Sequence, residues 1–270
     1  MQAINERGLV MIGCGFMGKA LLEGWVAAGV SPEAVTVRDP APSDWLLAQP
    51  GLQVNATPPE APAVLVIAVK PQLLDAVMPS LACFGGGATT VITIATGAPV
   101  RYYEDHLGPE TPIVRTMPNL PVSVGQGVTA LYGNTAAAGD GLALAQALFD
   151  AVGTSVTLAE EEMLHLVTGV SGSGPAYVFA LAEAMAASAT ELGLPPELAR
   201  ALAIGTVAGA GHMLAVPGAD PTELRLAVTS KGGTTAKALE QLRRAPDGIG
   251  DLARLAIDAS RKRSLELGQG

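Results

Sequence analysis

The sequence predicts an α/β protein whose first part is a doubly wound sheet and whose second part is all α-helix. The first 160 residues alternate short apolar runs with helical patterns, which is typical of parallel strands buried between two layers of helices. Strand patterns stop after Glu160, and the remaining residues form helical patterns separated by glycine and proline. We therefore predict one domain over residues 1–160 and a second over residues 161–270.

Seven apolar runs are the predicted strands of the sheet. They are Leu9–Ile12, Ala34–Val37, Val64–Val69, Thr90–Ile94, Ile113–Arg115, Val128–Leu131 and Ser155–Leu158. The first strand runs into a glycine turn and a helix predicted over Phe16–Ala28, and this spacing repeats along the domain. The repeat predicts a parallel sheet with helices on both faces.

Helix signals dominate the second domain. One helix begins in the Glu160–Glu162 cluster and breaks near Ser171–Pro175, where small residues precede a proline that cannot continue the backbone ladder. The break either admits a ligand or is only a kink. The next helix starts at Ala176 and ends at Gly193. Asp220 then fits an N-cap, because a proline follows it at the first helical position and a glutamate is placed to complete a capping box.

The composition excludes two classes of partner. The chain has 16 Lys+Arg and 25 Asp+Glu, a net charge of −9, whereas nucleic-acid-binding proteins normally carry a basic footprint. The longest uncharged helical stretch, Ala201–Ala219, contains glycines and a proline, so it predicts a buried helix rather than a membrane span. No basic stretch near the N-terminus leads into a long apolar run, and we predict a cytoplasmic protein.

The cysteines and histidines give no metal-ligand pattern. Cys14 and Cys83 lie far apart in the sequence, and the three histidines are scattered. Neither arrangement has the spacing that metal ligands require. The sequence therefore predicts no metal site.

A glycine-rich turn follows the first predicted strand and opens the first helix. Gly13 and Gly15 permit a tight turn in which backbone N–H groups approach a pyrophosphate, and Gly18 lets the helix pack closely on the strand. Phe16 and Met17 lie between them at the helix start. A structural turn is the alternative, but the strand before and the helix after favour dinucleotide binding by a Rossmann-like domain.

The second predicted strand ends at a pair of charged residues, Arg38 and Asp39. Asp39 lies 21 positions after Gly18, where a carboxylate accepts both hydroxyls of the adenine ribose and repels a 2′-phosphate. Arg38 has the opposite effect, since a guanidinium can pair with that phosphate. The alternative is a solvated charge pair in a loop. The pair favours dual use, so the predicted cofactor is NADPH or NADH.

Two further segments follow strands at the edge where open α/β sheets bind ligands. The third strand ends in the segment Ala68, Val69, Lys70 and Pro71. The side chain of Lys70 either contacts the cofactor or is simply solvated. Asn119 lies in a loop stiffened by two prolines. It would hydrogen-bond either a nicotinamide carboxamide or a neighbouring loop.

The helical domain contains one candidate anion site. Ser230 begins a turn that leads into a helix predicted over Thr234–Arg244, so free N–H groups, hydroxyls and the positive helix end converge there. Lys231 is the only cation nearby, which favours a carboxylate over a phosphate. The alternative is an ordinary helix capped by serine or threonine.

These motifs occur together in the order and spacing of one known family. They are the glycine turn, Ala68–Gln72, Arg115–Pro121, Val170–Tyr177 and Ser230–Thr235. With these motifs the chain resembles pyrroline-5-carboxylate reductase over nearly its whole length. The most specific segments are Val170–Tyr177 and Gly232–Thr235.

The resemblance implies an activity and an assembly. The family reduces L-1-pyrroline-5-carboxylate to L-proline with NAD(P)H, the last step of proline biosynthesis, and forms dimers through interlocked helical domains, sometimes assembled into decamers. By this resemblance Ser230, Gly233 and Thr234 hold the substrate carboxylate, and Thr235 is the catalytic residue that hydrogen-bonds the imine nitrogen. An imine that water can protonate is already a good hydride acceptor, so catalysis is mainly positioning. We also expect the Ala/Gly-rich stretch Ala201–Val216 to lie in the dimer interface.

Two residues depart from the family pattern, and two other functions are alternatives to the one that the family implies. Lys231 stands where the family usually has proline, and Asp39 stands where NADPH-preferring members often have a neutral or basic residue.

A β-hydroxyacid dehydrogenase would need a catalytic lysine, but none occurs between Lys70 and Lys231. A catalytically silent NAD(P)-binding regulatory module would be expected to have a damaged substrate loop, and the loop residues are all present.

Overall fold

A computed structural model describes residues 1–268, which form two compact units. The sheet unit comprises Met1–Gly172 together with the chain from Ser260 onward, and the helical unit comprises Ser173–Ala259. The predicted domain boundary, after residue 160, lies earlier than this division. The residues between belong to the sheet unit because Leu164 is buried against Met117 and Ala130.

The sheet has eight strands in the order β3-β2-β1-β4-β5-β6-β7-β8. They are β1 (Leu9–Ile12), β2 (Val35–Arg38), β3 (Gln53–Val54), β4 (Val64–Ile67), β5 (Thr90–Thr93), β6 (Ile113–Met117), β7 (Gly127–Gly133) and β8 (Gly153–Thr157). The chain passes from β3 at one edge to β4 beside β1, which is the strand order of a doubly wound, Rossmann-like sheet. The predicted fold class is confirmed, and all seven predicted strands are present. Only β3 is additional, because two residues are too few to form a recognisable pattern.

The prediction of a parallel sheet is wrong at one pairing. β1 to β6 pair in parallel, but β7 is antiparallel to β6, with Thr116 opposite Leu131. The reason is the short connection over residues 118–126, because a parallel crossover needs about a dozen residues or more. β8 then pairs in parallel with β7.

Alternate residues of the central strands face two separate cores. Leu9 and Met11 of β1 face one core, whereas Val10 and Ile12 face the other. The helices that cover the sheet are α1 (Gln2–Arg7), α2 (Phe16–Ala27), α3 (Asp44–Leu47), α4 (Leu74–Val77), α5 (Val100–Leu107), α6 (Asp140–Asp150) and α7 (Met163–Val167). Strands buried on both faces explain why the sequence shows continuous apolar runs rather than alternation.

The helical unit contains four complete helices and the start of a fifth. They are α8 (Gly174–Glu191), α9 (Pro196–Leu214), α10 (Pro221–Ala227), α11 (Thr234–Leu242) and α12 (Ile249–Gly268), and the end of α12 belongs to the sheet unit. The predicted N-cap is confirmed, since Asp220 Oδ1 accepts from the backbone N–H groups of Thr222 at 2.8 Å and Glu223 at 2.9 Å.

The predicted helix break near Ser171–Pro175 is a π-helical segment followed by a bend at Ser173. After α7 the chain adopts a π-helix over Thr168–Gly172 and continues directly into α8, which begins at Gly174 and not at Ala176. The hydroxyl of Ser171 donates to the carbonyl of Val167, four residues back, and such bonds bend helices. A π-segment of this kind is often found at functional sites.

The helical unit buries very little of its own apolar surface. Ala199 and Ala203 are the apolar side chains fully buried within the described part of this unit, where α9 packs against α8. Leu202 and Ile204 on α9 are 53% and 50% exposed. The prediction that Ala201–Ala219 is a buried helix is therefore wrong for the single chain, because α9 packs on one side only. No helix within residues 1–268 is long and apolar enough to cross a membrane.

Candidate functional site

The glycine turn has the geometry that dinucleotide binding requires. Gly13 has φ +81°, a left-handed conformation, and a Cβ there would lie 3.0 Å from the carbonyl oxygen of Ala68. Gly15 is the N-cap of α2, and a Cβ there would meet nothing within 4 Å. Gly18 packs closely, because its Cβ would lie 3.3 Å from the carbonyl oxygen of Gly13.

Most of the predicted cofactor residues line one cleft of the sheet unit. The cleft is lined by Gly15, Phe16, Met17, Gly18, Ala68, Val69, Lys70, Pro71, Ile94, Ala95, Thr96, Met117 and Pro118. It lies at the carboxyl ends of β1 and β4, where the strand order reverses, which is the expected ligand position in such sheets. Sequence reasoning had identified the segment Arg115–Pro121 at the end of β6, but it missed Ile94, Ala95 and Thr96 after β5, although the same rule about strand ends would have found them.

The residues of this cleft fit a dinucleotide. Among the described residues, no side chain caps the N-terminus of α2, so its first backbone N–H groups remain available to an anion. The open space at Gly15 lies directly beside these groups. Phe16 is 72% exposed at the same helix end, and Lys70 is exposed at the rim. The turn therefore provides a cradle for a pyrophosphate.

Arg38 and Asp39 line a second, smaller depression together with Ile12, Pro40, Asn55, Val77 and Ser80. The Asp39 carboxylate connects this depression to the glycine turn, because its Oδ2 accepts from the backbone N–H of Cys14 at 2.8 Å. Burial raises the pKa of the Cys14 thiol to about 11, and the Asp39 charge adds to the shift. Asn55 was not predicted, since no motif marks it.

Asn119 lies outside the cleft lining and is buried. Its Nδ2 donates to the carbonyl of Ser171 at 3.1 Å, and its Oδ1 accepts from the N–H of Val128 at 2.8 Å. These bonds correspond to the neighbouring-loop alternative and tie the end of β6 to the π-segment. A contact between Asn119 and the cofactor stays a prediction.

A buried ion pair supports the loop that carries Thr96, one wall of the cleft. Arg115 on β6 donates to Glu161 Oε1 at 2.7 Å, and the same oxygen accepts from the N–H of Val100 at 2.8 Å. Arg115 also donates to the carbonyl of Gly97. Sequence reasoning missed this pair, because the partners are distant in the chain.

The predicted substrate residues form one turn in the helical unit. Gly233 is the N-cap of α11, and its N–H donates to the carbonyl of Ser230 at 3.0 Å. A Cβ on Gly233 would meet Ser230 Oγ, so a larger residue there would force the serine hydroxyl to rotate away. No described side chain caps α11, which contradicts the alternative of an ordinary Ser/Thr-capped helix. The N–H groups of Thr234 and of Thr235, which is half-buried, therefore lie at an uncapped helix end.

Metal ligation has no candidate site in the described residues. No group of three or more histidine, cysteine, aspartate and glutamate side chains within residues 1–268 lies close enough to hold a metal ion. Both candidate sites are instead built from backbone N–H groups and hydroxyls.

The fold and the cleft together define a dinucleotide-binding α/β protein. The family model described as "Pyrroline-5-carboxylate reductase dimerisation" matches residues 161–267, and the one described as "NADP oxidoreductase coenzyme F420-dependent" matches residues 9–97. The pyrroline-5-carboxylate reductase of Synechocystis sp. is 39% identical over 270 residues, 97% of this chain and 98% of the relative. The Methanosarcina acetivorans relative of the same name is 39% identical over 273 residues, 98% of this chain and 100% of the relative.

Solved structures agree with the sequence relatives. A pyrroline-5-carboxylate reductase from Coxiella burnetii has a TM-score of 0.89 and 32% identity, covering 97% of this chain and 99% of that one. The Plasmodium falciparum pyrroline carboxylate reductase with NADP bound has a TM-score of 0.83 and 25% identity, covering 98% and 99%. The chain belongs to the pyrroline-5-carboxylate reductase family, and its second half carries the family's dimerisation domain.

Proposed function

We propose that this chain catalyses the reduction of L-1-pyrroline-5-carboxylate to L-proline with NADH or NADPH, the last step of proline biosynthesis. The observation that carries the proposal is the intact, uncapped turn Ser230–Thr235 in a chain that also has the dinucleotide cleft. Relatives with this name match the chain over nearly its whole length. A silent regulatory module would have no reason to keep the substrate turn.

Cofactor binding is assigned to the sheet unit. The N–H groups at the uncapped start of α2, beside Gly15, would hold the pyrophosphate. Arg38 and Asp39 would meet the adenine ribose, and Ala68–Pro71 would border the rest of the cofactor. Asn119 would also contact the nicotinamide, through the Nδ2 hydrogen that is not donated to Ser171. When bound, the reduced nicotinamide supplies the hydride for the C=N carbon of the substrate. The bound NADP of the Plasmodium relative supports this assignment.

Substrate binding is assigned to the turn before α11. The Ser230 hydroxyl and the N–H group of Thr234 would hold the substrate carboxylate at the positive end of the helix, and Gly233, which has no side chain, would let the carboxylate approach the backbone. Thr235 would hydrogen-bond the imine nitrogen, which takes its proton from water while the neighbouring carbon accepts the hydride. Since water can protonate this imine, these residues act mainly by orienting the substrate. Lys231 adds a positive charge beside the carboxylate.

We propose that the functional protein is a homodimer formed through the helical unit, with decamers as its higher assembly. Apolar side chains on three helices support this, because Leu202 on α9, Phe179 on α8 and Leu255 on α12 are 53%, 58% and 55% exposed. Fully burying an exposed side chain of this kind contributes about 1.5–3 kcal/mol, and burial of the exposed half would contribute about half of that. The dimerisation model begins at residue 161, which supports the predicted boundary between domains 1–160 and 161–270. We further propose a cytoplasmic enzyme without nucleic-acid or membrane partners.

The activity is tested by following the absorbance of NADH and, separately, NADPH with purified protein and racemic pyrroline-5-carboxylate. Consumption of reduced cofactor with formation of an equal amount of proline is the expected result. Cofactor binding without any turnover would favour the silent regulatory module instead. Turnover with another cyclic imine but not with pyrroline-5-carboxylate would support the assignment of the site to imine reduction and would reject pyrroline-5-carboxylate as the substrate.

A further inference from the structure

The Asp39 carboxylate is held in a fixed position at the ribose depression. Its Oδ2 accepts from the N–H of Cys14 at 2.8 Å, and its Oδ1 accepts from the N–H of Ala41 at 2.8 Å. One bond ties the carboxylate to the glycine turn, and the other ties it to the loop after β2. A carboxylate with both oxygens bound to backbone groups cannot rotate away from an approaching ligand.

Asn55 holds the backbone of Asp39 through two hydrogen bonds. Asn55 Oδ1 accepts from the N–H of Asp39 at 3.0 Å, and Asn55 Nδ2 donates to the carbonyl of Asp39 at 2.9 Å. Asn55 has φ +55°, a left-handed conformation that asparagine tolerates better than most residues. It follows the two-residue strand β3, which pairs with β2 through Val37 and Val54. The short edge strand therefore delivers Asn55 to Asp39.

Arg38, the neighbouring cation, is not held in the same way. Its side chain is exposed and makes no hydrogen bond or ion pair with any residue that the structure describes. Binding a 2′-phosphate through Arg38 would require ordering a long, solvated side chain, which costs conformational entropy. The same phosphate would also approach a fixed negative charge. The two effects act against NADPH, whereas the ribose hydroxyls of NADH would meet acceptors already in place.

We propose that this chain prefers NADH to NADPH, and that Asn55 is the positioning residue that makes Asp39 the discriminating group. The proposal deepens the proposed function by choosing between its two cofactors. The preference expected from one fixed like charge is on the order of tenfold in affinity. Asp39 acts directly on the cofactor, and Asn55 acts through Asp39.

The test measures dissociation constants of NAD⁺ and NADP⁺ by calorimetry without substrate, and kcat/KM for NADH and NADPH with substrate. Wild type is expected to favour the unphosphorylated cofactor by about tenfold in both measurements. Asn55→Gly keeps the left-handed backbone accessible and removes both side-chain bonds, so the ratio of the two affinities is expected to fall several-fold. Asp39→Asn removes the charge and is expected to abolish the preference.

Asn5→Ala is the matched control, because Asn5 makes a similar pair of bonds far from the cleft. Its side chain donates to the carbonyl of Gly29 and accepts from the N–H of Ser31. Asn5→Ala is expected to keep the wild-type ratio of the two affinities. If Asn55 had only a structural role, Asn55→Gly would keep that ratio too.

Two outcomes overturn the proposal. One is wild-type protein that binds NADP⁺ as tightly as NAD⁺, and the other is an unchanged ratio in a folded Asn55→Gly variant. If Asn55→Gly does not fold, an unchanged ratio in Asp39→Asn overturns it. Absence of turnover with a retained preference in calorimetry would reject the proposed reaction and leave this inference standing.

Discussion

Thr235 is the residue on which the proposed chemistry depends most directly. We expect Thr235→Ala to lower kcat on the order of 100-fold, because the variant loses the hydrogen bond to the imine nitrogen. The dissociation constant of the cofactor is expected to change little, since the cofactor residues lie in the sheet unit. Steady-state kinetics and calorimetry measure the two effects separately. Thr235→Ser keeps the hydroxyl and is expected to retain most of the activity, and an equal loss in both variants would reject the role of the hydroxyl.

Gly15 allows binding to be separated from folding. We expect Gly15→Asp to fold normally, because a Cβ there meets nothing within 4 Å and its φ of −70° suits any residue. The added carboxylate lies against the pyrophosphate cradle and is expected to weaken cofactor binding on the order of 100-fold or more. Circular dichroism checks the fold and fluorescence titration with NADH checks the binding. Tight NADPH or NADH binding by a folded Gly15→Asp protein would contradict the placement of the cradle.

A substitution at Gly13, unlike one at Gly15, is expected to destabilise the fold itself. Gly13→Ala forces a Cβ onto a residue with φ +81° and into the carbonyl of Ala68, so we expect a loss of about 1–3 kcal/mol in the free energy of unfolding. Gly15→Ala is the matched control and should cost far less. Urea denaturation of the two variants measures the difference, and equal stabilities would show that the strain at Gly13 is absent.

At the scale of elements, a buried hydrogen bond joins the end of α12 to α7 within the sheet unit. His165 Nδ1 lies 3.0 Å from Ser264 Oγ, and both side chains are buried. Burial lowers the pKa of His165 below its ordinary value, and the nearby Arg115 acts in the same direction, against the charges of Glu162 and Glu161. The imidazole is therefore neutral in the folded protein at neutral pH.

This hydrogen bond predicts a pH-dependent stability. Because the folded pKa of His165 lies below the unfolded value, the unfolded chain binds more protons between the two values, and stability falls as pH falls below about 6.5. We expect the melting temperature of wild type to drop between about pH 7 and pH 5 more steeply than that of His165→Gln. Scanning calorimetry across this range makes the comparison. Parallel pH profiles for the two proteins would show that His165 is not the titrating group.

The elements also show what the sequence can and cannot predict. Buried strands such as β1 and β4 were predictable, because continuous apolar runs bounded by glycine and proline have few alternatives. The antiparallel direction of β7 was not predictable from its own residues. Only the short length of the loop before β7 indicates it. The π-segment is bonded to the loop after β6 through Asn119 and Ser171, and no local pattern reveals a bond between residues so distant in the chain.

The candidate site was predictable to a similar extent. Local motifs located the glycine turn and the Ser230 turn, because each consists of consecutive residues with a defined backbone geometry. Asn55 and the Arg115–Glu161 pair were missed, since each acts on a residue that only the fold brings near. The small residues of α9 predict an interface. Only the structure shows that this helix is exposed in the single chain.

For the whole molecule, the exposed helices predict that a single chain is not the stable form. Gly209 on α9 has open space around it, so a leucine there would be harmless in a monomer. In a dimer packed through this helix, Gly209→Leu would block close approach of the two backbones. We expect light scattering to give a dimer or larger assembly for wild type and a smaller species for the variant. A monomeric wild type at low micromolar concentration would reject the dimer, and circular dichroism would confirm that the variant is folded.

The burial of Cys14 determines how the protein responds to thiol reagents. With a pKa of about 11 and 7% exposure, its sulfur is a protonated, shielded thiol at neutral pH, whereas Cys83 is exposed. Only the thiolate is nucleophilic, so alkylation should occur at Cys83 and leave the glycine turn unmodified. The native chain can therefore take a single fluorophore on the sheet unit without any engineered cysteine, and the labelled protein should still bind its cofactor.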